Sequence, residues 1–98
     1  MMNSIIIEGY VKTEPMISYK GDNNREFSFI LQCDDIVRLN NKHKVKNNLK
    51  IKVIPSDEII DNIIPFIKAG QKIRVLGEVF PEKKTRKLSV LAVRIQKR

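Results

Sequence analysis

The chain has 98 residues, one domain's worth with a thin core. Hydrophobic residues make up 42%, too many for a disordered tail, and no apolar run approaches the ~20 residues of a membrane span. With 19 Lys and Arg against 11 Asp and Glu the formal net charge is +8, which favours acidic polymers, nucleic acid first and anionic membrane second, over mere solubility.

Cys33 is the only cysteine, which excludes an intrachain disulfide and a paired-cysteine metal site. It falls in an alternating apolar run and is expected to be a small buried hydrophobe. Residues 1–8 carry no basic segment of the signal-peptide kind, so a soluble cytoplasmic protein is expected.

In chain order, Asn3 to Lys12 reads as a strand. Ile5, Ile7, Gly9 and Val11 form one face, and Ile6, Glu8, Tyr10 and Lys12 the other. Gly9 inside it signals a bend or a close backbone approach. Glu14-Pro15 breaks the run, because proline cannot donate to a ladder. Met16 to Tyr19 reads as a continuation of the same curved strand, and Gly21-Asp22-Asn23-Asn24 as a turn. Glu26 to Cys33 is the second strand, with Phe27, Phe29, Leu31 and Cys33 inward. Asp34 to Asn48 is polar and reads as a long basic loop or a loose hairpin.

Leu49 to Ile54 is the third strand. Leu49, Ile51 and Val53 point inward, and Lys50, Lys52 and Ile54 outward. Ser56 to Ala69 is the one helix, capped by Ser56, with Asp57 and Glu58 at its positive end. Ile59, Ile60, Ile63, Ile64 and Ile67 make its apolar stripe. Pro65 should split it into a helix and a short second turn, and Gly70 should end it. Lys72 to Phe80 is the fourth strand, with Ile73, Val75, Gly77 and Val79 inward and Arg74, Leu76, Glu78 and Phe80 outward. Pro81 to Lys87 is a charged hairpin tip. Leu88 to Gln96 is the fifth strand, with Leu91, Val93 and Ile95 as its expected core positions.

Three strands, a helix and two strands, over 1–98 as a single domain, is the order of an OB fold. The expected class is all-β with one helix: a five-stranded barrel with the helix between strands three and four. If Ile6, Ile30, Ile54, Leu76 and Phe80 all face outward, they form an apolar patch that marks a homodimer or a heterocomplex.

The ordered set of segments resembles bacterial single-stranded DNA-binding proteins. Residues 3–15 (Asn-Ser-Ile-Ile-Ile-Glu-Gly-Tyr-Val-Lys-Thr-Glu-Pro) followed by Tyr19 look like their opening strand, glycine, acidic-Pro step and late tyrosine. Phe27 to Cys33 resembles their second strand. Residues 66–79, with Gly70 and Gly77, resemble their helix end and following strand. The chain differs in having no tryptophan, where those proteins usually stack bases on tryptophans, and in ending Gln96-Lys97-Arg98 rather than in an acidic tail. The short form is similar to primosomal replication protein N, a dimeric OB relative. The resemblance therefore implies an accessory primosome role as readily as strand coating.

Binding single strands without sequence preference needs a cationic groove and flat groups for bases. Lys50 and Lys52 on the third strand, Lys42, Lys44 and Lys46 before it, and Lys83, Lys84, Arg86 and Lys87 in the late hairpin supply the cations. Lys12 joins them at the end of the first strand. Tyr10 and Phe80 are the candidate stacking platforms, with Arg74 a planar alternative. Phe27 and Phe29 belong to the core, and Tyr19 packs on the barrel wall or stacks.

No catalytic, metal or cofactor site is expected. His43 lies among lysines and asparagines, the glycines form no phosphate loop, and Asp34-Asp35 and Asp57-Glu58 lack a histidine or cysteine partner. The expected partner is single-stranded DNA in replication or recombination. A rival reading is an interaction module docking on a polymerase, primase or helicase, and a third is an RNA-binding OB domain.

Overall fold

The computed structural model describes residues 4–19, 25–38, 44–83 and 85–98, with all their side chains except those of 18, 19, 25, 34–38, 44–48 and 66. Six strands and one helix follow in the order β1 (Ser4–Val11), β2 (Met16–Tyr19), β3 (Arg25–Arg38), β4 (Lys44–Pro55), α1 (Ile60–Ile63), β5 (Lys72–Pro81) and β6 (Leu88–Lys97). The sheet order is β1-β5-β6-β4-β3-β2, and β1 also pairs with β3. That extra pairing closes β1, β3, β4, β6 and β5 into a mixed barrel, in which only β4 and β6 run parallel. Five strands so closed, with the helix between β4 and β5, form an OB fold.

Alternation fills the barrel as the sequence predicts along β1, β3 and β5. Ile7, Val11, Phe29, Leu31, Cys33, Ile73 and Val75 are each at most 2% exposed. Ile63 and Ile67 from the helical segment complete the core, with Ile59 and Ile60 packed against it, while Ile64 is exposed.

β1 belongs to two pairings at once, so it must bend, and it does so at an irregularity between Glu8 and Gly9. A Cβ on Gly9 would collide with the backbone carbonyl of Gln32 on β3. Gly77 solves the same problem where β5 crosses β6, beneath the carbonyl of Leu91. At both points the absence of a side chain lets two strands approach closely.

Four expectations are corrected. Met16 to Tyr19 does not continue β1; it is a separate strand pairing with Arg25–Ser28 of β3, because Pro15 interrupts the ladder. The second and third sequence strands are longer than expected, running on to Arg38 and starting at Lys44, so of the two forms expected for Asp34 to Asn48 the hairpin is the one found: Asp35, Ile36 and Val37 pair with Lys46, Val45 and Lys44. The helix is one turn, Ile60–Ile63, followed by a 3-10 turn at Ile64–Phe66 in which Pro65 sits at the start. Ser56 contributes its carbonyl, not its hydroxyl: Ile59 and Ile60 N–H both donate to it at 3.1 Å.

The fourth correction concerns which residues of β6 and β4 point inward. Val90 and Ala92 are fully buried, whereas Leu91 is 37% and Val93 46% exposed. β6 carries one extra residue, since Leu76 pairs with Arg94 but Gly77 with Ala92. The bulge at Val93 flips the alternation, so Ile95 returns inward as expected. Leu49, at the irregularity between Cys33 and Asp35, is likewise exposed.

The crowding at Gly9 gives the first prediction. Gly9→Ala should destabilise the barrel by about 1–3 kcal/mol or more, because the overlap is with backbone that cannot rotate away. Urea unfolding followed by circular dichroism should show a lower midpoint for this variant and an unchanged one for Lys12→Ala at an exposed site.

Candidate nucleic-acid interface

Residues paired across neighbouring strands stand side by side on one face, about 5 Å apart. On the outside of the barrel one such row crosses four strands. Lys72 of β5 faces Tyr10 of β1, Tyr10 faces Gln32 of β3, and Gln32 faces Lys50 of β4. Tyr10 is 45% exposed, Lys50 is exposed, and Lys72 and Gln32 are half-buried. The Lys72 Nζ stands 5.7 Å over the centroid of the Tyr10 ring, within cation–π range.

The adjacent row runs from Ile30 to Lys52, Ser89 and Phe80. Lys52 is not a free cation there. Its Nζ lies 2.8 Å from Glu26 Oε1 and 3.1 Å from Glu82 Oε1, and the Ser89 hydroxyl donates to Glu82 Oε1 at 2.6 Å. Ser89, Glu82, Lys52 and Glu26 thus tie β6, the start of the late hairpin, β4 and β3 together. Burial works against the Lys52 ammonium, but hydrogen bonds and charge attraction from Glu26 and Glu82 outweigh it and raise its pKa above the ordinary 10.5. The Ser89 hydroxyl, then Lys52, hold the Glu82 carboxyl below its ordinary 4.5.

Arg74 is also committed. Its Nε donates to Glu8 Oε1 at 2.5 Å, its Nη2 lies at the same distance, and Arg98 Nε adds a third contact at 3.3 Å. Its guanidinium edge is therefore engaged by a carboxylate.

The other predicted residues fall into three groups. Lys12 is exposed at the end of β1, where its backbone N–H donates to the Ile30 carbonyl at 2.7 Å. Lys83, Arg86 and Lys87 are exposed on the hairpin, which is closed by Glu82 N–H to the Lys87 carbonyl and Arg86 N–H to the Glu82 carbonyl, both at 2.9 Å. Arg86 itself has a φ of 58°, the left-handed region that favours glycine. Lys44 and Lys46 lie on β4, not in a loop, opposite Val37 and Asp35. Lys42, His43 and Lys84 lie outside the described residues, as do the side chains of Lys44, Lys46 and Tyr19.

Phe80 is half-buried, as are Ile6, Ile30, Ile54 and Leu76, so the expected outer patch is more covered than alternation implied. Leu91 and Val93 are the more exposed apolar residues beside Ile54.

The Glu82 clamp holds the basic hairpin against the end of the β3–β4 outer face. The cations in that region divide into those held by a carboxylate, Lys52 and Arg74, and those without an ion pair among the described residues, Lys50 and Lys72. Lys72 and Gln32 escaped the sequence reading. Their outward direction follows from alternation, but their alignment with Tyr10 and Lys50 is a matter of register between distant strands. Among the described residues no group of three His, Cys, Asp or Glu side chains could hold a metal ion, and no helix is long and apolar enough to cross a membrane.

Neither a family model nor a curated protein matches the chain by sequence. Solved structures do match it by shape. The second single-stranded DNA-binding protein of Mycobacterium smegmatis superposes with a TM-score of 0.74 at 13% identity, over 99% of this chain and 89% of its own. The dimeric N-terminal domain of the PriB protein from Thermoanaerobacter tencongensis gives 0.61 at 21%, over 97% and 94%. A Plasmodium falciparum SSB in complex with ssDNA gives 0.63 at 16%, over 99% and 95%. The OB architecture is thus shared over nearly the whole chain with single-stranded DNA-binding and PriB-like proteins.

The clamp has a definite pH signature. A carboxylate whose folded pKa is depressed stabilises the fold above its unfolded value, and that contribution is lost as pH falls through the folded value. Lys52, with a raised pKa, contributes below 10.5 and loses its contribution as pH rises through the folded value. The difference in urea midpoint between the native chain and Glu82→Gln should therefore be level from about pH 6 to about pH 9 and shrink below the ordinary carboxylate value of 4.5.

Proposed function

We propose that this chain binds single-stranded DNA without sequence preference, in replication or recombination, through the outer face of β3 and β4 and the 82–87 hairpin. The observation that carries this reading is the row Lys72, Tyr10, Gln32, Lys50: a ring flanked by cations on the face that OB folds use for oligonucleotides. The single-stranded DNA-binding proteins that share the fold support it, among them one solved with ssDNA.

The mechanism is backbone neutralisation with modest stacking. Lys50, Lys12 and the hairpin cations Lys83, Arg86 and Lys87 are exposed and available to phosphates; Lys42, Lys44, Lys46 and Lys84 join the proposed set on their charge and place in the sequence alone. Tyr10 supplies a stacking surface and Phe80 a second, half-covered one. Lys52 and Arg74 shape the face through their ion pairs and contribute less charge to a ligand than their exposure suggests. Binding, not catalysis, is the proposed role. A homodimer is part of the reading, supported by the dimeric PriB neighbour, and sedimentation showing only monomer at high concentration would overturn that part.

Fluorescence anisotropy with labelled oligo-dT tests the proposal. Binding should weaken with salt, log K falling against log salt by about 0.7 for each neutralised phosphate. Tyr10→Leu should lose about 1–3 kcal/mol of affinity, the value of one base stacked on an aromatic ring. No affinity for oligo-dT at low salt would overturn it.

A further inference from the structure

Resting on the single-strand reading, we propose that Lys72 and Tyr10 form a one-nucleotide subsite in which an arriving base displaces the Lys72 ammonium from the ring. The released ammonium then takes a phosphate of the same strand. The Lys72 ammonium sits over a face of the Tyr10 ring that a stacked base would need. A ring face holds one cation or one base.

Three features of the row favour exchange. First, Lys72 is tethered only to the ring: among the described residues it forms no ion pair, in contrast to Lys52 and Arg74. An ammonium held by a carboxylate would have to break that pair to meet a phosphate. One held over an exposed ring gives up a weaker contact. Second, the ring is exposed and anchored on a central barrel strand, so it does not have to be ordered on binding. Third, Gln32 and Lys50 continue the row on the far side of Tyr10. An amide that both donates and accepts, next to the ring, can meet the edge of any base, and Lys50 lies where the backbone would continue. The chemistry recognised is a nucleotide unit of single-stranded nucleic acid: a flat base with phosphates on either side.

The chain has two tyrosines and no tryptophan, so Tyr19→Phe leaves Tyr10 as the sole tyrosine emitter. Titrating that variant with oligo-dT at low salt should quench its emission in step with the anisotropy of a labelled oligonucleotide. In the same background Lys72→Met should keep the quench, because the ring stays free to stack. Its log–log salt slope should become shallower by about 0.7, one phosphate contact. Lys72→Arg should restore the slope, and all three variants should keep the native unfolding midpoint.

Binding without quench would overturn the subsite, and so would a salt slope in Lys72→Met equal to that of its parent. Failure of every variant and of the native chain to bind would instead overturn the single-strand reading itself.

Discussion

The close approach of β1 to β3 at Gly9 is the constraint from which the rest of the molecule follows. β1 gives its whole length to β5 and is also hydrogen-bonded to β3, which is what turns an open sheet into a barrel. β1, β3 and β5 each have strand partners on both sides, so their ladders are satisfied within the chain. Tyr10 stands between Lys72 and Gln32 because the β1–β5 register runs unbroken to Tyr10 while the β1–β3 register shifts at Glu8/Gly9, just before it.

The outer wall is basic, but its cations are not equivalent. Glu8, Glu26 and Glu82 are few against the lysines and arginines, yet they sit where the strands bring them against Arg74 and Lys52. Exposed pairs of this kind add little stability each, and a connected set holding three strands and a hairpin adds geometric definition instead. Lys50 and Lys72, which have no ion pair among the described residues, keep their charge for the solvent or for a ligand. Net charge alone would have counted all of them equally.

Much of this architecture was legible in the chain itself. Alternation along β1, β3 and β5 identified the core, Gly9 marked the close approach of two strands, and Pro65 marked the split of the helical segment into two turns. Three things were not legible, each for a physical reason. The bulge at Val93 reverses which residues of β6 point inward, and no local pattern announces it because Leu91 and Val93 are as apolar as Val90 and Ala92. The arms of the β3–β4 hairpin, Asp34 to Arg38 and Lys44 to Asn48, carry no sustained apolar alternation, so the sequence leaves loop and hairpin both open and only the pairing decides between them. The candidate site was legible only as a list of outward residues. Which of them meet, Lys72 with Tyr10 and Lys52 with Glu82, depends on register between segments far apart in sequence.

The clamp at Lys52 also bears on how a wall with so few rings could hold a strand at all. Ordering a flexible loop on binding costs free energy that stacking on tryptophans can offset in richer sites, and this chain has none. Here the start of the 82–87 hairpin is tied through Glu82 to Lys52 of β4, the strand that also carries Lys50, and to Ser89 of β6. Lys52 gives up its own charge to do this. On the proposed single-strand reading, one phosphate contact is given up to hold the base of the hairpin, which costs little when attraction to the backbone, and not base stacking, dominates the affinity.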